Sequence, residues 1–93
     1  MALLADTEID ERLNDLPEWN REGDAIVREF ELDDYVGSVR FVEGTVAPAE
    51  RMGHHPDIGI SWNKVTVTIS THSEGGITAA DFELASEIDR LKR

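Results

Sequence analysis

The sequence predicts an α+β fold, a four-stranded antiparallel sheet with three helices packed on one face in the order α-β-β-α-β-β-α. Two observations predict it. Stretches with apolar residues at helical spacing alternate with pairs of short strand-like stretches, and a turn joins the strands of each pair. This pattern is typical of helices covering one face of an antiparallel sheet. Ninety-three residues are too few for two ordinary domains, so we expect residues 1–93 to form one domain.

The first helix is predicted to begin at Thr7, because acidic residues follow in its first turn and favour the positive end of the helix dipole. Its apolar positions are Ile9, Leu13 and Leu16, and Pro17 ends it. The stretch 19–32 then predicts two strands around the turn 22–24. In the second of these strands Ile26, Arg28, Phe30 and Leu32 share one side, which is mostly apolar, and we expect this side to face the core.

The second helix is predicted to begin at Asp33 or Asp34. One face of it carries apolar residues at helical spacing, namely Tyr35, Val39, Val42 and Val46. Proline inside a helix costs about 3 kcal/mol. Pro48 therefore predicts a kink or a break near residues 45–47.

The second strand pair is predicted at residues 57–61 and 65–71, around the turn 62–64. Apolar residues alternate with threonine and serine from Val65 onwards, which is typical of a half-buried strand. Thr78 then caps the last helix, and Asp81 three residues later completes a pattern like a capping box. The apolar stripe of that helix consists of Leu84, Ala85, Ile88 and Leu91.

Acidic residues dominate the composition. The chain has twenty acidic and nine basic residues, a formal net charge of −11. Residues 1–50 hold fourteen acids and four bases, net −10, whereas residues 51–93 hold six and five, net −1. A protein that binds nucleic acid through phosphates needs a basic face, so we expect no nucleic-acid partner. An anionic membrane surface is disfavoured as well. Many acids with only two lysines resemble proteins of salt-adapted cytoplasms.

Cysteine is absent, which excludes disulfides and thiolate chemistry. The first residues lack a basic segment followed by a long apolar run, so we expect no signal peptide. No stretch approaches the roughly 18 apolar residues of a membrane span. These observations predict a cytoplasmic protein. Because a pocket is costly in so small a core, we also expect an oligomer.

All three histidines, His54, His55 and His72, fall within 19 residues. If the last two strands pair, these histidines meet at one end of the sheet. Three interpretations remain open: a metal site completed by Glu50 or Asp57, backbone hydrogen bonding at strand ends, and a general acid–base pocket without metal. Adjacent residues of an extended chain point in opposite directions, so His54 and His55 do not easily share an ion. We favour the acid–base interpretation, because histidine transfers protons near neutral pH.

Three other residues have both a structural and a functional interpretation. Asp81 is a first-turn acid in line with the apolar stripe of its helix, so it faces inward and could hold the ring of His72. Trp62 is a turn or core aromatic, or an apolar wall for a planar ligand. Glu50 is a solvated charge at a helix end, or a ligand contact.

At these residues the chain resembles the pterin-4a-carbinolamine dehydratase family. The stretch from Glu50 through His54 and His55 to Pro56 looks like the family's Glu-x-x-x-His-His-Pro motif. An aromatic, a histidine and an aspartate follow at similar spacings, here Trp62, His72 and Asp81. The strand before His72 and the order of elements upstream are also similar. The resemblance therefore covers nearly the whole chain.

The resemblance implies an enzyme that dehydrates 4a-hydroxytetrahydropterins to quinonoid dihydropterins, in recycling the cofactor of aromatic amino acid hydroxylases. It implies no metal and no cofactor. His54 and His72 would transfer protons, and His55 would lie near the leaving hydroxyl. Asp81 would orient His72, and Glu50 would bind the polar edge of the pterin. Family members assemble as dimers or tetramers. The remaining residues implied to contact the substrate are Pro56, Trp62, Ser70 and Thr71.

Two alternatives to this activity remain. The chain could be a binding or scaffold protein that uses its oligomer surface instead of its pocket. It could also act on a different pterin, for example one linked to molybdopterin. The presence of these motif residues favours an enzyme, since a scaffold does not need them.

The net charge predicts how the melting temperature of the protein depends on salt concentration. If the acidity is an adaptation to salt, molar KCl screens the self-repulsion of the chain and its melting temperature rises. Thermal melts between about 0.1 and 2 M KCl measure this. A melting temperature that stays flat over that range would contradict the interpretation.

Overall fold

The computed structural model describes residues 2–92 and confirms the predicted fold class. The helices within this range are α1 (Asp6–Asn14), α2 (Tyr35–Gly44), α3 (Val46–Met52) and α4 (Ala79–Arg90). The strands are β1 (Asn20–Glu22), β2 (Ala25–Glu31), β3 (Asp57–Ser61) and β4 (Lys64–Ile69), and a 3₁₀ turn covers His72–Glu74.

The four strands form one antiparallel sheet in the order β1-β2-β4-β3. Ile26 and Phe30 of β2 lie opposite Ile69 and Val65 of β4 in the register, and all four are buried. Their neighbours in sequence point to the other side of the sheet, as alternation along a strand requires. The helices cover the apolar side, so the core lies between them and the sheet.

Helix α4 has more buried residues than any other helix within residues 2–92. Its predicted stripe is confirmed at Leu84, Ala85 and Ile88, which are fully buried, but not at Leu91, which follows the last residue of the helix and is 39% exposed. At the C-terminal end of α4, Asp89 Oδ1 accepts hydrogen bonds from Trp19 Nε1 at 2.9 Å and from the guanidinium of Arg28 at 2.8 Å. This carboxylate therefore connects α4 to the strand β2 and to the residue before β1.

The predicted break in the second helix is confirmed. Helix α2 ends at Gly44, and Thr45 is both its C-cap and the residue that precedes α3. Pro48 then stands in the first turn of α3. The amide groups of a first turn have no partner within the helix, so a residue without an N–H group is tolerated there.

The apolar face predicted for this helix is mostly on the surface. Tyr35, Val39 and Val46 are 57, 37 and 58% exposed. Helix α2 instead turns Ser38 and Phe41 inward. The Ser38 hydroxyl donates to the backbone carbonyl of the β3–β4 turn at 2.7 Å, and the ring of Phe41 lies 4.6 Å from that of Phe30. These two contacts decide the rotation of the helix.

The start of the first helix differs from the prediction. Helix α1 begins at Asp6 with Ala5 as its N-cap, not at Thr7. The backbone N–H of Ala5 donates to the carboxylate of Glu8 at 3.1 Å. This bond holds the first turn without a capping hydroxyl. None of the helices within residues 2–92 is long and apolar enough to cross a membrane.

We expect Asp89→Ala to lower the free energy of unfolding by about 1–3 kcal/mol, since it removes the shared acceptor of Trp19 and of the half-buried Arg28. Urea denaturation measures the loss. Asp10→Ala, a change at an exposed helical acid, is the matched control, and its effect should stay within about 0.5 kcal/mol. An equal loss in both variants would contradict the structural role of Asp89.

Candidate active site

His54 is positioned by the end of helix α3. Gly53 adopts the left-handed conformation with φ +61°, which glycine reaches without steric cost. The N–H of His54 then bonds to the carbonyl of Ala49 at 3.0 Å, and the N–H of Gly53 to that of Glu50 at 3.3 Å. This pair of bonds is a Schellman motif. It places the histidine immediately beyond the helix, facing the start of α4.

Thr71 is positioned by a closed loop after β4. The strand ends at Ile69, two residues earlier than predicted, and Thr71 forms an isolated bridge with Gly76. Its N–H donates to the carbonyl of Gly76 at 2.8 Å, and its own carbonyl accepts from Glu74 and Gly75 at 3.0 Å. Both backbone groups of Thr71 are thus bonded within the loop 71–76.

Asp81 is fully buried in the first turn of helix α4. The predicted capping box is confirmed: the backbone N–H of Thr78 donates to Asp81 Oδ2 at 2.8 Å. The Thr71 hydroxyl lies 3.1 and 3.0 Å from the two carboxylate oxygens. These donors replace hydrogen bonds that the buried carboxylate would otherwise make to water.

The third partner of Asp81 is His54. Nε2 of His54 lies 2.5 Å from Asp81 Oδ1, and the histidine side chain is only 15% exposed. Because an ionised carboxylate only accepts hydrogen bonds, Nε2 carries the hydrogen. Among residues 2–92, Nδ1 of the same ring has no hydrogen-bond partner. Nδ1 is thus the nitrogen of His54 that is available to exchange a proton with a ligand.

A cavity of about 520 Å³ lies beside this pair. Its walls come from the end of α3, the loop after β4 and the first turns of α4. The volume is in the range of small-molecule sites, roughly 300–1,000 Å³. The residues that line it are Arg51, Met52, Gly53, His54, Thr71, Ser73, Glu74, Ala80 and Glu83.

The prediction that Asp81 holds His72 is wrong, since Asp81 holds His54. The chain turns at Thr71 into the 3₁₀ turn, and this turn carries the His72 side chain outward, where it is 78% exposed. Its Nε2 lies 3.8 Å from Asp57 Oδ2. His72 does reach the same end of the sheet as His54, but it lines a separate cavity of about 220 Å³.

His55 points away from His54, as alternation along an extended segment requires. Its Nε2 lies 2.5 Å from Glu50 Oε2, and the two side chains are 60 and 68% exposed. The structure therefore pairs two predicted site residues with each other, outside the His54 cavity.

Trp62 does not line the His54 cavity, and its contact with a substrate stays a prediction. It stands in the β3–β4 turn, at the opposite end of that hairpin, and is 66% exposed. Its φ of +50° lies in the left-handed region, which the two-residue turn imposes. Ser70 lines the smaller cavity with His72, and Pro56 is half-buried just before β3.

Several cavity residues were missed from the sequence: Arg51, Met52, Ser73, Glu74, Ala80 and Glu83. Ala80 and Glu83 are three residues apart and therefore share one face of α4, but that face is not the one that carries Asp81. The others are only neighbours in sequence of His54 or Thr71. Within residues 2–92, no group of three or more His, Cys, Asp or Glu side chains is arranged to hold a metal ion.

The chain matches the sequence profile of the family described as "Pterin 4 alpha carbinolamine dehydratase" over residues 2–91. It is 49% identical over 90 residues to a protein of Roseiflexus castenholzii, with 97% of each chain covered. It is 47% identical over 91 residues to a protein of Nocardia farcinica, covering 98% of this chain and 96% of the relative. Both relatives carry the name "putative pterin-4-alpha-carbinolamine dehydratase".

Solved structures agree with the sequence matches. A Brucella melitensis protein described as a transcriptional coactivator/pterin dehydratase superposes with a TM-score of 0.94 at 31% identity, covering 99% of this chain and 100% of the other. A pterin dehydratase-like protein described as a RuBisCO assembly factor gives a TM-score of 0.64 at 21% identity. The match covers 80% of this chain and 86% of the other, and the two proteins share the fold. The chain belongs to the pterin-4-alpha-carbinolamine dehydratase family.

Proposed function

We propose that the protein dehydrates a 4a-hydroxytetrahydropterin to the quinonoid dihydropterin and water, in the recycling of a tetrahydropterin cofactor. The observation that carries the proposal is the His54–Asp81 pair at the wall of the cavity. A histidine oriented by a buried carboxylate is a recurring arrangement for moving protons. Family membership supplies the substrate class.

The reaction needs one proton removed and one delivered. The pterin ring nitrogen N5 loses its proton, its electron pair forms the C4a–N5 double bond, and the 4a-hydroxyl leaves with a proton as water. No electrons pass to an acceptor, so a redox cofactor has no part in the balance. We therefore propose general acid–base catalysis by side chains alone.

His54 is the histidine that we assign to proton transfer in the cavity. With Nε2 donating to Asp81, Nδ1 of the neutral ring has a lone pair that can accept the N5 proton. The carboxylate of Asp81 then faces the imidazolium that forms and stabilises its charge. The charged ring can afterwards return a proton to a leaving group.

His55 and His72 are the candidates for protonating the leaving hydroxyl. Both lie at the same end of the β3–β4 hairpin as His54, and both are exposed and beside a carboxylate, Glu50 or Asp57. We also propose that Glu50 contacts the polar edge of the pterin and that Pro56 and Ser70 contribute to substrate binding, as the family motif implies.

We expect His54→Ala to lower kcat/KM by roughly 10²–10⁴-fold, the range typical of a lost general acid–base group. The assay follows the absorbance of freshly generated 4a-hydroxytetrahydropterin with and without protein. The same assay on His55→Ala and His72→Ala identifies the histidine that acts on the hydroxyl, because its loss also slows turnover.

Glu29→Gln is the matched control for these variants, since Glu29 is exposed on the strand β2 and far in sequence from the cavity residues. Its turnover should equal that of the unaltered protein. No acceleration by the unaltered protein at micromolar concentration would contradict the proposed activity. Full activity of His54→Ala would contradict the assignment of His54.

We also infer that the protein forms a homodimer or homotetramer through helix α2. Its exposed apolar residues are Tyr35, Val36 and Val39, and Val46 at the start of α3 is exposed as well; we call these four residues the α2 stripe. Arg40 and Glu43 border this stripe and line a shallow groove with it. Two copies related by a two-fold axis can bring Arg40 of each copy towards Glu43 of the other, so the surface is complementary to itself in charge.

We expect Val39→Glu to convert the oligomer into monomers, because it places a charge in the centre of the α2 stripe. Size-exclusion chromatography with light scattering measures the mass. Thr66→Glu, on the exposed face of strand β4, is the matched control and should keep the oligomer. A monomeric unaltered protein, or dissociation only in Thr66→Glu, would contradict this interface. A free α2 stripe would then favour the alternative of a scaffold for another protein.

A further inference from the structure

We propose that Thr71 is a positioning residue, whose hydroxyl holds the Asp81 carboxylate in the orientation that aligns His54. Its effect on turnover rests on the proposed dehydratase function, whereas its effect on the His54–Asp81 hydrogen bond does not. The family motif implied a contact between Thr71 and the substrate. The structure instead assigns the hydroxyl to a carboxylate behind the cavity wall.

The hydroxyl of Thr71 is buried and already hydrogen-bonded within the protein. Thr71 is only 7% exposed, and its Oγ1 lies 3.1 Å from Asp81 Oδ1 and 3.0 Å from Oδ2. It also lies 2.8 Å from the Thr78 hydroxyl. A hydroxyl with a carboxylate on one side and a second hydroxyl on the other is already occupied by the protein, so little of it remains for a substrate.

The directions of these hydrogen bonds follow from the groups involved. The Asp81 carboxylate can only accept, so the single hydrogen of the Thr71 hydroxyl points to Asp81. Thr71 Oγ1 then accepts from the hydroxyl of Thr78. The backbone N–H of Ala80 lies 3.3 Å from Thr78 Oγ1 and donates to it. A directed chain of donors thus runs from the start of α4 through two threonines to Asp81.

The carboxylate has few other contacts to keep its orientation. Oδ2 also accepts the backbone N–H of Thr78, and Oδ1 accepts Nε2 of His54. Thr71 is the group that reaches both oxygens, and rotation of the carboxylate would break these contacts. Without the hydroxyl, Oδ1 depends on His54 alone. The direction of the short His54–Asp81 bond is then less restricted, and Nδ1 loses its fixed position in the cavity.

The hydroxyl of Thr71 can be removed without breaking the backbone hydrogen bonds that hold the loop 71–76. Its N–H and its carbonyl hold the 71–76 loop, and neither bond involves the side chain. Valine has the same branched shape and keeps both backbone bonds, so Thr71→Val removes the hydroxyl alone. Thr71→Ser keeps the hydroxyl and removes a methyl group.

The test uses proton NMR of the full chain labelled with ¹⁵N-histidine. A proton in a short bond to a buried carboxylate resonates far downfield and exchanges slowly with water. The Nε2 proton of His54 should show this resonance, and His54→Gln should remove it and thereby assign it. We expect Thr71→Val to move the resonance upfield or to lose it by exchange, and Thr71→Ser to retain it.

The same variants are measured in the dehydration assay. We expect Thr71→Val to lower kcat about ten- to a hundredfold with KM nearly unchanged, as loss of a hydrogen bond to a charged group predicts. Thr71→Ser should recover most of the activity. Thr45→Val is the matched control, because it removes another buried threonine hydroxyl, which donates to the carbonyl of Val42 at 2.7 Å. Both readouts should stay unchanged in it.

An unchanged His54 resonance in Thr71→Val would overturn the proposal, and so would an equal change in Thr45→Val. If Thr71→Val does not fold, Thr71→Ala is measured in the same way and decides by the same criteria. A protein without dehydratase activity whose resonance still depends on Thr71 would contradict the proposed function and support the positioning role. An active protein whose His54 resonance is independent of Thr71 would support the proposed function and contradict the positioning role.

Discussion

The buried carboxylate of Asp81 is the interaction on which the site depends. It caps helix α4 through Thr78, receives the hydroxyl of Thr71 and accepts Nε2 of His54. It thereby joins the start of α4, the loop after β4 and the end of α3, which are the three walls of the cavity. A carboxylate without exposure is costly unless donors surround it. The same donors that make its burial possible also determine where the histidine ring lies.

The histidines show how a local turn changes chemical roles. All three reach one end of the β3–β4 hairpin, yet only His54 lines the larger cavity. The left-handed Gly53 ends α3 so that His54 faces α4. The 3₁₀ turn after Thr71 sends His72 outward instead. A pair of histidines that appear equivalent in the motif therefore differ in burial and in partner.

The acidic charge and the site occupy different parts of the chain. Residues 1–50 carry a net charge of −10, whereas residues 51–93, which hold the three histidines, carry −1. The first half also contributes the whole α2 stripe, the largest group of exposed large apolar side chains among residues 2–92. The self-association that we propose for this surface is compatible with the acidity, because charge elsewhere on the chain opposes other contacts.

The sequence by itself determined the α+β class, the strand pairs, the break before Pro48 and the capping box of Thr78 with Asp81. These features follow from periodicity, turn residues and short-range hydrogen bonds, all of which depend only on residues that are close in sequence. Only the tertiary structure decided that Asp81 holds His54, that Trp62 lies far from the cavity and that α2 turns Phe41 inward. Those outcomes depend on which distant surfaces pack together, and a residue at helical spacing can face either the core or solvent until its partners are present.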